Sequence, residues 1–441
     1  MISTPSSGSS RKPLPTISSF CDYVFAEIVG SFFHDMLTTR LPLAALSVIL
    51  PQSVTASKEL RLPVYFREVH DMGNRDYCMV TPVKADKQSL NLQIDTGSDS
   101  LFVVEKEFLE RTLSPATCED FTFGCYDCHT HLCKTEVEET RHMDGTCAYT
   151  VQHRGALELG GQTIPDVDFG LVVGYTPNDS TPHASLGLAP RDDGGPTPLI
   201  DQLIDKGVIN RPDFSIYFKP DNPNEGELIL GGEDPSRYKK PMLIVPLTEE
   251  ADGWEATMEG LDVDGESIPV RMPILIDSGS SILWIPYEAL SALLKVLALS
   301  ASKAAGRWVR LEVQDKELVL SNCSDRVYLP PLELRFRGRG DQRPMIVIPP
   351  EIYVEDPRLG GMCTLPFRFF RGDSLSTAVL GLNLLRKYYL HFQYVERQIR
   401  FAEVAESEDL AEFARTSRRE QRKRRKSFDD SQAKKRQTLT S

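Results

Sequence analysis

Two short motifs in this chain place an acid at the tip of a turn. Asp95 opens D-T-G-S (Asp95–Ser98), and Asp277 opens D-S-G-S (Asp277–Ser280). Apolar residues flank both motifs: Leu92 and Ile94 before the first and Leu101–Val104 after it, Ile274–Ile276 before the second and Ile282–Ile285 after it. The pattern is strand, tight turn, strand, written twice. Gly97 and Gly279 supply the backbone freedom of each turn. The hydroxyls of Thr96, Ser98, Ser278 and Ser280 are placed to orient the carboxylates. If the two units meet, two like charges in close approach do not both ionise readily, and the pair holds one proton. Such a pair acts as base and acid in one step, activating a water and protonating a leaving group.

A single D-T-G-S is often only an Asx turn between strands. Two copies in matching apolar contexts, 182 residues apart, argue for more. The repeat extends: A-S-L-G-L-A at Ala184–Ala189 follows the first acid, and A-V-L-G-L-N at Ala378–Asn383 follows the second. A whole lobe is duplicated, not a tetrapeptide. Strand-like runs punctuated by Gly, Pro and Asn dominate both halves, so the fold class is mainly β. Two helices are predicted. Pro198–Val208 puts Leu199, Ile200, Leu203 and Ile204 on one face, and Tyr287–Ala305 does the same with Leu290, Leu293, Leu294 and Leu297.

On these motifs the chain resembles the pepsin-like (family A1) aspartic endopeptidases, most like the secreted fungal ones, over roughly residues 62–402. F-S-I-Y-F-K (Phe214–Lys219), G-E-L-I-L-G-G-E-D (Gly226–Asp234) and V-L-G-L-N-L-L-R-K-Y-Y-L-H-F-Q (Val379–Gln393) are similar to further family segments. The resemblance implies a bilobal fold, two pseudo-symmetric β lobes with the active-site cleft between them. It implies Asp95 and Asp277 as the catalytic pair, acting through water without a covalent intermediate, a cofactor or a metal. It implies that Ser98 and Ser280 bond the outer carboxylate oxygens and that Thr96 and Ser278 tie the motif loops together. Gly97 and Gly279 let backbone amides approach the acids, and Leu186-Gly187 and Leu380-Gly381 pack beside the loops. Cys323 and Cys363 are expected to pair, as in the family. The expected partners are protein or peptide substrates in extended conformation and pepstatin-type inhibitors, and the expected state is a monomer.

The flap departs from the family pattern. Its usual hairpin has a Tyr before a Gly-rich turn. The nearest match here is H-M-D-G-T (His142, Met143, Asp144, Gly145, Thr146), with His142 in the Tyr position, and Tyr149 stands as a substitute from a shifted hairpin. Phe102 occupies the place where a Trp often follows the first motif. These departures leave open a second reading, a pepsin-like binding or inhibitory protein with weak or lost catalysis.

At 441 residues the chain exceeds one ordinary core. It contains no apolar run of 18 or more, so no transmembrane helix is expected. Net charge is −13, yet Arg415–Ser441 holds 11 Lys/Arg against 3 Asp/Glu, so the body is more acidic than the total. That argues against nucleic acid as a substrate. Residues 1–35 read as a disordered or over-extended start, rich in Ser and Pro at its beginning. Met36, Arg40, the apolar Leu41–Leu50 and Val54-Thr55-Ala56 have the layout of a signal peptide over 36–56. Sequencing the mature N-terminus tests this, and retention of Met1 would refute it. Residues 57–75 form a short pro-segment, 76–210 and 211–402 the two lobes, and 403–441 a charged disordered tail. Discarding Cys21 with the leader leaves eight cysteines. Cys78, Cys118, Cys125, Cys128, Cys133 and Cys147 fall in the first lobe, where three bridges of unread connectivity, or a zinc site on Cys125, Cys128 and Cys133, are the alternatives; an oxidising compartment favours disulfides. Two glycosylation sequons start at Asn178 and Asn322. Together these predict a secreted or lumenal protein, with the extracellular space favoured.

Overall fold

The structure is a computed structural model. It describes residues 58–406 apart from 72–73, 113–116, 129–135, 143–144, 177–180, 192–194, 315–316, 356–360 and 371–375. The chain divides into units 1–55 and 56–441, and every described residue lies in the second. The signal-like segment, the sequon at Asn178 and the basic tail lie outside the described residues.

The first half contributes β1 (Leu60–Asp71), β2 (Asn74–Ala85), β3 (Gln88–Asp95), β4 (Leu101–Val104), β5 (Val137–Arg141), β6 (Cys147–Leu159), β7 (Gln162–Thr176) and β8 (Ser185–Gly187). Next come β9 (Phe214–Lys219), β10 (Asn222–Leu230) and β11 (Leu243–Pro246). The second half adds β12 (Glu255–Val263), β13 (Glu266–Ile268), β14 (Met272–Asp277), β15 (Leu283–Pro286), β16 (Leu311–Gln314) and β17 (Glu317–Leu320). It closes with β18 (Leu332–Phe336), β19 (Met345–Ile348), β20 (Cys363–Leu365), β21 (Phe367–Phe370), β22 (Ala378–Gly381), β23 (Tyr388–Gln393) and β24 (Gln398–Glu403). Helices are few: α1 (Lys106–Thr112), α2 (Leu199–Asp205), α3 (Tyr287–Ala305) and α4 (Pro350–Tyr353).

One sheet of 13 strands holds β1–β11 with β23 and β24; an eight-stranded sheet holds β12–β15, β18, β19, β21 and β22; β16, β17 and β20 form a third. The mainly β, bilobal fold is therefore present. Strands distant in sequence join the halves: β1 pairs with β10, β9 with β23, and β11 with β24. Trp254 adds a tie, its buried indole donating to the Leu188 carbonyl at 2.9 Å and stacking edgewise on Phe214 and Phe392.

Within the stretch expected as a pro-segment, residues Leu60–Asp71 form β1. Leu60, Leu62 and Val64 are buried, and β1 pairs with β10 on one side and β2 on the other. Alternating apolar residues put one face of this strand into the core, so it is part of the folded body. The shorter helix is seven residues, ending before Lys206 rather than at Val208, with Leu199, Ile200 and Leu203 buried. The longer one matches the expected span, buries Leu290, Leu293 and Leu297, and ends at Gly306, whose φ of 65° is the left-handed conformation a helix stop requires.

Cys323 and Cys363 are joined, as the resemblance implies, and so are Cys118 and Cys125. The second pairing removes Cys125 as a zinc ligand. Three bridges within the first lobe do not form, because Cys78 and Cys147 are buried thiols. Their register partners are Arg67 for Cys78, and Arg141 and Thr176 for Cys147, so no cysteine stands opposite either. Asn322 is exposed and accepts a hydrogen bond from the Ser324 amide, capping the short turn that carries Cys323.

Candidate active site

Each acid ends a strand driven by its own burial pattern. In β3, Leu90, Leu92 and Ile94 alternate into the core and deliver Asp95 to the strand end. In β14, Ile274, Leu275 and Ile276 are all buried, as fits a strand covered on both faces, and Asp277 follows. Each acid strand has a parallel partner: Asp95 lies opposite Gly187 and Asp277 opposite Gly381. The hydrophobic-Gly pairs Leu186-Gly187 and Leu380-Gly381 thus occupy equivalent places. Glycine is required at both. A Cβ on Gly187 would lie 2.4 Å from the backbone of Asp99 and Ser100, and one on Gly381 would lie 2.6 Å from Ile282 N and Ser280 O.

The two motif loops meet through their second residues. The Thr96 amide donates to Ser278 Oγ at 2.8 Å, and the Ser278 amide donates to Thr96 Oγ1 at 2.9 Å. Each hydroxyl then donates to the strand beneath the opposite loop: Thr96 to the Ile276 carbonyl at 2.8 Å, Ser278 to the Ile94 carbonyl at 2.7 Å. All four bonds are buried. They hold the carboxyl groups of Asp95 and Asp277 in hydrogen-bonding contact.

Around the carboxyls the two loops differ. Asp95 accepts from the Gly97 amide at 2.8 Å and from the Ser98 hydroxyl at 2.5 Å. Asp277 accepts from the Gly279 amide at 2.8 Å and from the Ser280 amide. The Ser280 hydroxyl does not bond the Asp277 carboxyl; it lies 3.4 Å from both the amide and the carbonyl of Ile282. Of the two hydroxyls expected on the outer oxygens, only that of Ser98 is there. Burial, together with the negative charge of Asp95, holds the Asp277 carboxyl well above the ordinary carboxylate range, outweighing the two amides that favour its charged form. The pair is arranged to hold a proton.

The carboxyls open into a cleft of about 470 Å³ walled by both halves. Leu275, Ile282, Trp284 and Val379 form an apolar wall on one side, and Arg141, His142, Thr146, Tyr175 and His183 line the other. The β5–β6 hairpin reaches over the site. Its turn is closed by His142 N to Thr146 O at 2.8 Å and by Gly145 N to His142 O at 3.0 Å, with Gly145 at a φ of 91°. His142, Gly145 and Thr146 therefore form the hairpin tip, while Asp144 lies outside the described residues. Tyr149 does not line the cleft. It sits on β6 against Gly174, because the hairpin register pairs it with Glu139. Tyr77 of β2 and Tyr175 of β7 both line the cleft, and the Tyr175 hydroxyl donates to Thr146 Oγ1 at 3.2 Å. Tyr175 and His183 carry no motif of their own. The one available signal was the position of His183 three residues before Leu186-Gly187. Among the described residues no cluster of three or more His, Cys, Asp or Glu is placed to hold a metal ion.

Known proteins are similar to this chain in sequence. Pepsin A of Bos taurus is 26% identical over 333 residues, covering 72% of this chain and 81% of that protein. Renin-2 of Mus musculus is 26% identical over 352 residues, covering 75% and 80%. Napsin-A of Mus musculus is 26% identical over 287 residues, covering 60% and 62%. The model of the eukaryotic aspartyl protease family matches residues 76–404, a span that takes in both acid loops and both of their glycine partners, and the chain belongs to that family.

Proposed function

We propose that this protein is an active endopeptidase that hydrolyses peptide bonds in extended polypeptides at acidic pH, with Asp95 and Asp277 as the catalytic pair. The observation that carries the reading is the contact between the two carboxyls, with Asp277 biased to keep a proton beside Asp95. In the one-proton state the ionised carboxyl takes a proton from water as its oxygen attacks the scissile carbonyl. The protonated carboxyl donates to the developing oxyanion, and the departing nitrogen is protonated from the pair as the C–N bond breaks. The cleft accommodates an extended chain, and its apolar wall favours apolar side chains beside the scissile bond. The signal-like segment supports action outside the cell or in a lumenal compartment.

One observation favours the second reading, a binding protein with weak catalysis: the Ser280 hydroxyl is turned from Asp277. The test is digestion of a denatured protein at about pH 3–6, the range in which a carboxyl pair shares a proton, with and without a pepstatin-type peptide, beside Asp95→Asn. Acid-dependent cleavage lost in both controls is expected. A folded, processed protein that cuts nothing yet binds the inhibitor would establish the binding reading instead.

A further inference from the structure

Gln93 reaches from the first half to the second acid loop. It stands two residues before Asp95, and the matching place two residues before Asp277 is Leu275. Leu275 is buried and apolar, whereas Gln93 is half-buried and presents an amide to the cleft. That amide donates to the Gly279 carbonyl at 2.8 Å, joining residues 186 apart in the chain. The Gly279 carbonyl belongs to the same peptide unit as the Ser280 amide, which donates to the Asp277 carboxyl. On its other side, the Gly279 amide donates to Asp277 Oδ1 at 2.8 Å. A Cβ on Gly279 would lie 2.5 Å from Asp95 Oδ1 and 3.1 Å from Asp277 Oδ1, so this backbone runs directly against both acids. Asp95 has one amide and the Ser98 hydroxyl as donors, but the Ser280 hydroxyl lies toward Ile282. Asp277 therefore depends on two backbone amides, and Gln93 grips the peptide that carries one of them.

We propose that Gln93 is a positioning residue for Asp277, holding and polarising the Gly279–Ser280 peptide from the opposite half of the molecule. The inference rests on the endopeptidase reading, because the carboxyl pair is what Gln93 tunes. Side-chain amide, peptide carbonyl, peptide N–H and carboxylate form one hydrogen-bonded chain, and in such a chain each bond strengthens the next. A stronger donor to an ionised carboxylate favours its charged form. Gln93 thus lowers the pH at which the pair gives up its last proton, and its removal raises that pH. Asp95 is the neighbour whose charge bears on Asp277. The other groups among the described cleft residues that carry charge or ordinarily titrate below about pH 7 are Arg141, His142 and His183. The phenols of Tyr77 and Tyr175 and the Cys78 thiol belong to classes that ordinarily titrate above it. A substitution at Gln93 alters none of these, so the difference between parent and variant isolates the amide.

The test uses the full processed chain with Gln93→Met, which keeps the length and loses the donor, and Gln93→Leu, which copies the matching Leu275. Two readouts run side by side across the acidic and neutral range: kcat and KM for one peptide substrate, and Kd for a non-hydrolysable statine-type peptide, whose binding needs no turnover. In both variants the high-pH limb of both profiles is expected to move up by about 0.5 pH unit, while the low-pH limb stays in place. At the optimum, kcat should fall about tenfold with KM changed by less than about twofold. If an apolar variant does not fold, Gln93→Asn, which withdraws the amide by one methylene, takes its place. Profiles that superimpose on the parent, or a fall in kcat with no shift of the high-pH limb, overturn the proposal. A rise in KM with kcat and both limbs unchanged also overturns it and makes Gln93 a substrate contact. Cleavage with unshifted profiles leaves the endopeptidase reading standing and removes the positioning role. A shifted Kd limb in a protein that cuts nothing does the reverse.

Discussion

Thr96 and Ser278 hold each other's loop by a reciprocal pair of hydrogen bonds, each hydroxyl accepting from the other's amide at 2.8–2.9 Å. Each hydroxyl also donates across to the opposing strand. Ser278→Ala therefore strips partners from the Thr96 amide and the Ile94 carbonyl, both buried. A loss of about 2–4 kcal/mol in unfolding free energy is expected, since each buried orphan costs about 1–3 kcal/mol. Ser278→Thr, which copies the first loop, should recover most of it. Urea midpoints for the two variants check both statements.

Asp277→Asn should separate activity from stability. Cleavage is expected to fall by about 10²–10⁴-fold, the usual contribution of an acid–base group. Stability should move the other way at neutral pH. The folded-state value of Asp277 is raised above its ordinary 3.8, so its proton contributes stability fully below about 3.8 and that contribution is lost as pH rises through the raised value. The Asn variant escapes that loss. It should be more stable than the parent by at least about 1 kcal/mol at neutral pH and equal to it near pH 3, as one pKa unit corresponds to about 1.4 kcal/mol. Thermal or urea melts at the two pH values decide.

Gly187→Ala and Gly381→Ala are expected to be similarly disruptive. Each added Cβ meets backbone atoms at 2.4–2.6 Å, and no side-chain rotation relieves the clash. A destabilisation of about 3 kcal/mol is expected, at the upper end of overpacking. Unequal effects at the two sites would count against the twofold equivalence of the loops. Gly306→Ala, where the αL backbone leaves open space around the residue, should cost only about 1 kcal/mol.

Glu233 gives a pH-dependent signature far from the dyad. Burial alone would raise its carboxyl, but bonds from His391 and Tyr238 and the charge of Arg400 hold it down at about 2. Its contribution is present above its ordinary value of 4.5 and is lost as pH falls toward about 2. Glu233→Gln should cost about 2 kcal/mol at neutral pH. The gap from the parent should close progressively between about pH 4.5 and 2. A gap independent of pH would remove the carboxyl's charge as its cause.

Much of this protein was determined locally and was therefore legible in the chain. A tight turn that exposes an acid needs Gly and hydroxyls beside it, and a strand beneath it needs an apolar run, so Asp95–Ser98 and Asp277–Ser280 declared themselves. Leu186-Gly187 and Leu380-Gly381 were visible because only glycine fits against the turned backbone at Asp99 and at Ser280–Ile282. Other features depend on which strands become neighbours. That residues 60–71 form a strand of the main sheet depends on β10, some 160 residues on, which supplies their pairing partner. Ser280 carries the same residue type as Ser98, and only the folded loop turns its hydroxyl toward Ile282. The register of β5 against β6 withdraws Tyr149 from the cleft, and β7 brings Tyr175 to His142 and His183 instead. Local sequence encodes what a turn or strand can do by itself; register and long-range pairing decide which side chains share a cleft, because that choice is made by the burial of the whole sheet and not by any one segment.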